Sequence, residues 1–285
     1  MNEDATVREL LAEGTKRLEA AGIEEAALDA ELLLEKAAEM NRAAFRAFPD
    51  RKPGKEAVTL YESMLAEREK RIPLQHICGE QYFYGLRFIC DGRALIPRAD
   101  TEILVEAAAA SGIKGKRVLD LCTGSGCIAV SLKKAGGCGY TAATDLSEEA
   151  LTLAKENALL NSAEISFYRG DLYEALPAEE EAFDVIVSNP PYIESAVIGT
   201  LMPEVRDHDP LMALDGGADG LSFYRRIAAG AGSRLVSGGR IFLETGCEQG
   251  EQVSAILAEA GFEDIRVIKD YAGLDRVVSA RWRNV

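Results

Sequence analysis

Apolar positions in the first quarter of the chain recur at helical spacing. Val7, Leu10, Leu11 and Leu18 fall on one face of a helix, because a period of 3.6 stacks such positions into a stripe. Thr6-Val7-Arg8-Glu9 places a hydroxyl three residues before a carboxylate, the spacing of a capping box, and Gly22 predicts the stop. A second stripe runs through Ala30, Leu33, Leu34 and Ala37. A short helix is predicted from Asn41 to before Pro49. A last one carries Val58, Tyr61 and Leu65 and closes before Pro73. Residues 1 to about 72 thus predict a small helical bundle.

The pattern then changes. Gln81-Tyr82-Phe83-Tyr84-Gly85-Leu86-Arg87-Phe88-Ile89 is aromatic and β-branched with a glycine near its middle, which predicts a hairpin. From Thr101 onward strand and helix patterns alternate. Strands are predicted over 117–122, 140–146, 165–171, 183–189 and 240–245, with helices after the first two, near 221–231 and over 252–260. Alternation of this kind predicts a mostly parallel sheet covered on both faces. The last two strands, 264–269 and 276–281, have no helix between them and must pair antiparallel at the edge. The expected division is a helical bundle over 1–75, a β-hairpin linker over 76–98 and an α/β domain over 99–285.

Composition changes this picture little but narrows the partners. With 285 residues, 47% apolar and 28% charged, the chain has ordinary globular composition. Its formal charge is −15, divided as −4 over residues 1–72 and −11 over the rest. Phosphate backbones and anionic lipids want a basic surface, so broad nucleic-acid or membrane binding is not expected. No apolar run reaches the roughly 18–20 residues of a membrane span, and the first ten residues lack a signal-peptide core. A cytoplasmic location is expected. Six cysteines without a C-x-x-C pair and only two histidines, His76 and His208, predict reduced thiols and no metal site.

The candidate chemistry sits where predicted strands end. Asp120-Leu121-Cys122-Thr123-Gly124-Ser125-Gly126 turns the first of the seven strands into a helix. Glycines there let a ligand approach the backbone and expose helix N-terminal amides. Asp145 ends the next strand, 19 residues after Gly126, where an acid can accept both hydroxyls of a ribose. Asp171 ends the third. Asn189-Pro190-Pro191-Tyr192 follows a fully apolar strand directly. Its two prolines remove two N–H donors and leave two acceptors, the Asn189 side-chain oxygen and the Pro190 carbonyl. Both can receive hydrogen bonds from one –NH₂ group, and Tyr192 can lie over a planar group.

Together these motifs resemble the S-adenosylmethionine-dependent methyltransferases of the Rossmann-like class I, and the tetrad resembles that of the branch acting on amide or exocyclic nitrogens. Leu95-Ile96-Pro97-Arg98-Ala99-Asp100-Thr101-Glu102 is similar to a signature of the HemK/PrmC family. Pro73-Leu74-Gln75-His76, Glu204-Val205-Arg206, Asp209-Pro210, Ala213-Leu214-Asp215-Gly216-Gly217, Asp219-Gly220-Leu221, Glu244, Gln249-Gly250 and Asp270-Tyr271 also match. The resemblance spans nearly the whole chain. It implies a seven-stranded, mostly parallel sheet with an antiparallel last strand, and transfer of a methyl group to the side-chain amide nitrogen (N5) of the glutamine in the Gly-Gly-Gln motif of peptide chain release factors. By it, Cys122, Thr123, Gly124, Ser125 and Gly126 cradle the methionine part of S-adenosyl-L-methionine. Asp145 binds the ribose, Asp171 and Leu172 flank the adenine, and Asn189, Pro190, Pro191 and Tyr192 hold the substrate amide, Asn189 also lying near the cofactor. The bundle over 1–75 would recognise the release factor, and a monomer is expected.

Cys122 stands where many relatives have glycine, which argues against left-handed backbone there; it is expected to be a small tolerated residue, not a nucleophile. Arg98 and Glu102 are candidates to pair with each other or to shape the entrance, and His208 is read first as a loop residue. A nucleic-acid amino methyltransferase would use the same tetrad on adenine N6, cytosine N4 or guanine N2, but the acidic charge opposes it. A binding module without turnover has no use for the two acceptors.

Overall fold

Helix α1 (Val7–Ala20) begins at a capping box: the Thr6 hydroxyl accepts from the Glu9 amide, and the Glu9 carboxylate accepts from the Thr6 amide at 2.8 Å. Helices α2 (Ala26–Ala38), α3 (Arg42–Ala47, capped by Asn41), α4 (Lys55–Arg68) and α5 (Leu74–Cys78) follow. The apolar stripes converge: Leu10, Leu18, Leu33, Leu34, Val58, Tyr61 and Leu65 bury in one core. Gly14 lies in the middle of α1, where a Cβ would come within 2.0 Å of the Tyr61 hydroxyl. A mid-helix glycine costs about 1 kcal/mol, and here it admits a buried ring.

The computed structural model describes residues 2–283, so the outermost ends of the expected domains lie outside the described residues. It divides into two units. The smaller runs to Gly79 and takes in Met202–His208; the larger holds Glu80–Leu201 and the chain from Asp209 onward. This departs from the division read from the sequence in two places. The hairpin, strands β1 (Glu80–Phe83) and β2 (Leu86–Ile89), belongs to the larger unit, because Phe83 and Phe88 bury in the same core as Leu104 and Val118. Its Tyr84-Gly85 turn has φ of 50° and 74°, as a two-residue hairpin with right-handed strand twist requires. The segment Met202–His208 joins the helical unit through charge. Glu204 accepts from Arg68 at 2.9 Å and from both arms of the Arg71 fork at 2.7 Å. Arg68 also pairs with buried Asp29 at 2.7 Å.

The larger unit continues with α6 (Glu102–Ala110), a helix that the alternation pattern did not single out. Its sheet strands are β3 (Arg117–Leu121), β4 (Tyr140–Asp145), β5 (Ser166–Arg169), β6 (Phe183–Ser188), β7 (Leu235–Glu244), β8 (Phe262–Lys269) and β9 (Asp275–Trp282). Helices α7 (Cys127–Ser131), α8 (Glu148–Leu160), α11 (Ser222–Ala231) and α12 (Gly250–Glu259) connect them; the long stretch expected to be irregular holds two short helices, α9 (Pro203–Arg206) of the smaller unit and α10 (Leu211–Leu214) of the larger. Helix α7 runs into a π turn over Leu132–Gly136. Spatial order is β5-β4-β3-β6-β7-β9-β8, and β9 alone runs antiparallel to its neighbours. Strand β7 starts earlier than predicted, with a register shift opposite Phe183 and Val185. Alternate residues feed opposite faces: Leu119, Leu121 and Ile186 pack with α11 and α12, whereas Val118, Val185 and Val187 pack with α6 and α7. Among the described residues no helix is long and apolar enough to cross a membrane.

Burial by itself would raise Glu204, but the hydrogen bonds from Arg71 and Arg68 outweigh it and hold the carboxyl at about 2, below the usual 4.5. A carboxyl depressed in the folded state stabilises it above the unfolded value, and that stability is lost as pH falls through the folded value. Circular-dichroism melts should therefore show wild type above Glu204→Gln at neutral pH, with the gap closing between about 4.5 and about 2. A gap independent of pH would contradict the pairing.

Candidate active site

Chain order reverses between β3 and β6: the chain runs outward from β3 to β4 and β5, then returns to β6 on the other side of β3. In open sheets of this kind ligands bind beyond the carboxyl ends of the strands at that point. Leu121 and Ser188 are register partners, and the Ser188 hydroxyl donates to the Leu121 carbonyl at 2.7 Å. The residues that follow, Cys122 and Asn189, are therefore brought side by side.

A cavity of about 570 Å³ opens there, within the range that holds cofactor-sized ligands. Cys122, Thr123, Gly124 and Ser125 form one wall, Asp145, Asp171 and Leu172 another, and Asn189 and Pro191 a third. Of the residues expected to hold cofactor or substrate, Gly126, Pro190 and Tyr192 do not line it. Gly126 caps α7 with φ of 80°, and a Cβ there would come within 3.0 Å of the Ala154 Cβ, so it sets helix packing. Pro190 is buried, and Tyr192 packs against the core of the α11 face, where burial, reinforced by nearby Glu244, pushes its hydroxyl up to about 12. His208 is also absent from the lining.

Cys122 corrects one expectation: its φ is 56°, left-handed without a glycine. Such backbone costs about 1–3 kcal/mol and persists only where the surroundings impose it; here the flanking strand ends and the bond from the Thr123 amide to the Thr144 carbonyl at 3.0 Å hold it. Leu172 carries the same strain at φ 49°. Burial, reinforced by Asp145 and Asp120, pushes the Cys122 thiol upward, away from reactivity. Arg98 and Glu102 do not pair with each other. Arg98 reaches Asp209 at 3.1 Å, and Glu102 accepts from the Tyr84 amide at 2.7 Å, tying the hairpin turn to α6.

Asp145 accepts from the Gly124 amide through Oδ2 and from the Ser147 amide through Oδ1, each at 2.9 Å. Burial raises its carboxyl, and these amides oppose the rise. Asp120, fully buried, is pushed by burial up to about 7, with the Thr123 hydroxyl at 2.6 Å acting the other way. Asp171 is paired with Arg226 at 2.6 Å, and Arg226 and Phe223 of α11 line the cavity beside it. A half-buried acid set among backbone donors, a glycine turn with exposed amides and an enclosed volume of this size fit a nucleoside-bearing ligand. Among the described residues no group of His, Cys, Asp and Glu is arranged to hold a metal ion.

Sequence reasoning missed three supports. Asn157 of α8 is fully buried. Its Oδ1 accepts from the Ile89 amide at 2.7 Å, and its Nδ2 donates to Ile89 at 3.2 Å and to the Ser125 carbonyl at 3.0 Å, joining hairpin end to glycine loop. Glycines 216 and 220, legible only as motif matches, let the chain close on the tetrad: a Cβ at Gly220 would lie 2.4 Å from the Tyr192 carbonyl oxygen, and one at Gly216 would lie 2.7 Å from the Tyr192 Cα. The third is the pair Thr101 and Glu244 beside Asn189; no periodicity marks it, and both members lay within matched motifs whose roles were unassigned.

Sheet order, strand direction and the cavity at the β3–β6 reversal are those of the Rossmann-like class I methyltransferase fold. Solved structures support the fold alone: a methyltransferase from Pyrococcus furiosus has a TM-score of 0.53 at 18% identity, covering 71% of this chain and 91% of that one. A 16S rRNA methyltransferase from T. thermophilus in complex with AdoMet and guanosine has 0.52 at 20%, covering 72% and 50%. Residues 9–79 match the PrmC N-terminal domain and residues 98–203 the Methyltransferase small domain. Release factor glutamine methyltransferases from Geobacter sulfurreducens (40% identical, 97% of this chain and 96% of the relative) and Cereibacter sphaeroides (44%, 93% and 94%) are similar along almost their whole lengths. The chain belongs to the release factor glutamine methyltransferase family.

Two substitutions test this support. Asn157→Ala strands buried backbone groups at Ile89 and Ser125 and should cost about 2–4 kcal/mol in chemical denaturation. Gly220→Ala, strained at φ 68° as well as crowded, should cost about 1–3 kcal/mol. Unchanged unfolding midpoints would contradict the roles assigned to these residues.

Proposed function

We propose that the chain transfers a methyl group from S-adenosyl-L-methionine to the side-chain amide nitrogen (N5) of the glutamine in the Gly-Gly-Gln motif of peptide chain release factors. The observation that carries this reading is Asn189, which lines the cavity directly after β6 and beside the glycine loop of β3, with the Pro190 carbonyl next to it in the chain. Relatives similar over nearly the whole chain bear the name release factor glutamine methyltransferase, which supports the substrate.

The amide nitrogen of glutamine is a poor nucleophile because its lone pair is delocalised into the carbonyl. The Asn189 Oδ1 and Pro190 carbonyl accept its two protons and turn the nitrogen toward the methyl donor. Neither proline offers an N–H to compete. Tyr192, held through its carbonyl by Gln249 at 3.1 Å, fixes the end of the tetrad. When bound, S-adenosyl-L-methionine supplies an electrophilic sulfonium methyl. Cys122, Thr123, Gly124 and Ser125 would hold its methionine part, with Gly126 setting the turn; Asp145 would accept from the ribose hydroxyls, and Asp171 and Leu172 would flank the adenine. The nitrogen–methyl bond forms as the sulfur–methyl bond breaks, and the methylated amide nitrogen, now strongly acidic, loses one proton to water; the tetrad contains no strong base, so rate comes from positioning and electrostatics. The helical unit that runs to Gly79 recognises the release factor, the hairpin is part of the catalytic unit that begins at Glu80, and the enzyme works as a cytoplasmic monomer without stable nucleic-acid partners.

Labelled S-adenosyl-L-methionine, incubated with a purified release factor beside DNA and ribosomal RNA, should label the release factor alone. Changing the Gly-Gly-Gln glutamine to alanine should abolish label. Asn189→Ala should lower kcat on the order of 100-fold, and Asp145→Ala should weaken cofactor binding about 10- to 100-fold by calorimetry. Label on nucleic acid instead would refute the substrate and leave an amino methyltransferase.

A further inference from the structure

The acceptor pair works only if Asn189 presents oxygen, and a side-chain amide has two nearly isosteric orientations. Asn189 itself selects neither, so its neighbours must. Its Nδ2 lies 3.4 Å from the Thr101 Oγ1, and both side chains oppose the rise that burial imposes on the Glu244 carboxyl, which puts them beside it. Glu244 ends β7, is 2% exposed, and has a buried Oε2 with no hydrogen-bond partner among the described residues. Its backbone is fixed by the Tyr224 hydroxyl, which donates to the Glu244 carbonyl at 2.8 Å. An ionised carboxylate only accepts. Beside the Thr101 hydroxyl, such a carboxylate would draw the Thr101 hydrogen to itself, leave a Thr101 lone pair for the Asn189 N–H, and forbid the Asn189 oxygen from turning inward. We propose that Glu244, acting with Thr101, is the positioning residue that fixes the flip of the Asn189 amide and turns its Oδ1 to the substrate. This rests on the amide-methylation reading above.

The device depends on charge. A protonated Glu244 becomes a donor; pointed at Thr101, it frees the Thr101 hydrogen to meet the Asn189 oxygen, and the amide flips. Burial pushes Glu244 up to about 7, with the Thr101 hydroxyl and Arg276 opposing, Asp100 adding to the rise and Asn189 opposing. The groups that face it are Asp100 and Thr101 before α6, Cys127 on α7, Asn189 and Tyr192 after β6, Tyr224 on α11 and Arg276 on β9. Arg276 is already tied to Asp270 at 3.0 Å and to Asp100 at 3.1 Å. Methyl transfer should therefore rise with pH as Glu244 ionises and level off above about 7.

The test is steady-state methyl transfer by the full chain to a release factor across pH, at saturating cofactor because Asp120 of β3, bonded to Thr123 of the glycine loop, also sits at about 7. Glu244→Gln keeps the shape and adds a donor. It should lose the rise in kcat and fall on the order of 100-fold at alkaline pH, with the KM for release factor and the calorimetric cofactor affinity within about threefold of wild type. Thr101→Val should behave alike, and Thr101→Ser, which keeps the hydroxyl, should restore kcat. Wild-type kcat and an unshifted pH profile in Glu244→Gln would overturn the inference. So would a loss of cofactor affinity matching the loss of kcat, since that marks a structural role. A wild-type enzyme that leaves the release factor unmethylated would instead refute the underlying reading, and is seen before any variant is compared.

Discussion

Everything in the site depends on two parallel strands ending in register. Leu121 and Ser188 sit opposite each other in the sheet, and the Ser188 hydroxyl closes the gap to the Leu121 carbonyl at 2.7 Å. Because the chain leaves β3 in one direction and returns to β6 from the other, the segments that follow diverge and open a crevice between them. One carries strained backbone and glycines; the other carries a carbonyl and an amide oxygen with no competing donors. Neither segment makes a site alone. A slip of one residue would move every side chain of β6 to the opposite face and carry Asn189 away from Cys122.

Polar groups buried around this joint give it rigidity. Asn157 does for the glycine loop what a neighbouring strand would do, satisfying backbone groups of Ile89 and Ser125 with one side chain. Asp120 and Glu244 are carboxyls at 0% and 2% exposure, each next to a threonine. Buried acids of this kind are costly unless partnered, and they lie directly beside the loop and the tetrad. Left-handed Cys122 and Leu172 add backbone strain at the same place. Strain and buried charge thus concentrate where a ligand must meet fixed dipoles, the arrangement that favours catalysis by positioning.

The architecture was readable because each element obeys a local rule. The Thr6 capping box, the Asn41 cap and the alternation of strand and helix mark boundaries that short-range chemistry fixes. The chain positions of Asp145, Asp171 and Asn189 at strand ends were legible for the same reason. What escaped depended on contacts distant in sequence. Glu204 lies 133 residues from Arg71, and no periodicity joins them, so the placement of Met202–His208 with the bundle was invisible. Helix α6 is apolar nearly throughout and lacks a marked amphipathic stripe. The left-handed Cys122 went against residue preference, because tertiary surroundings override a cost of about 1–3 kcal/mol. Thr101 and Glu244 meet Asn189 only once the sheet has formed.

The central claim is that the crevice between β3 and β6 presents two acceptors to a primary amide. Tandem mass spectrometry of a release factor treated with the enzyme and S-adenosyl-L-methionine tests it most directly. The account requires one added methyl group, located on the side chain of the Gly-Gly-Gln glutamine and missing when Asn189 is replaced by alanine. A methyl group on any other residue, or an unmodified glutamine with label recovered in nucleic acid, would contradict it.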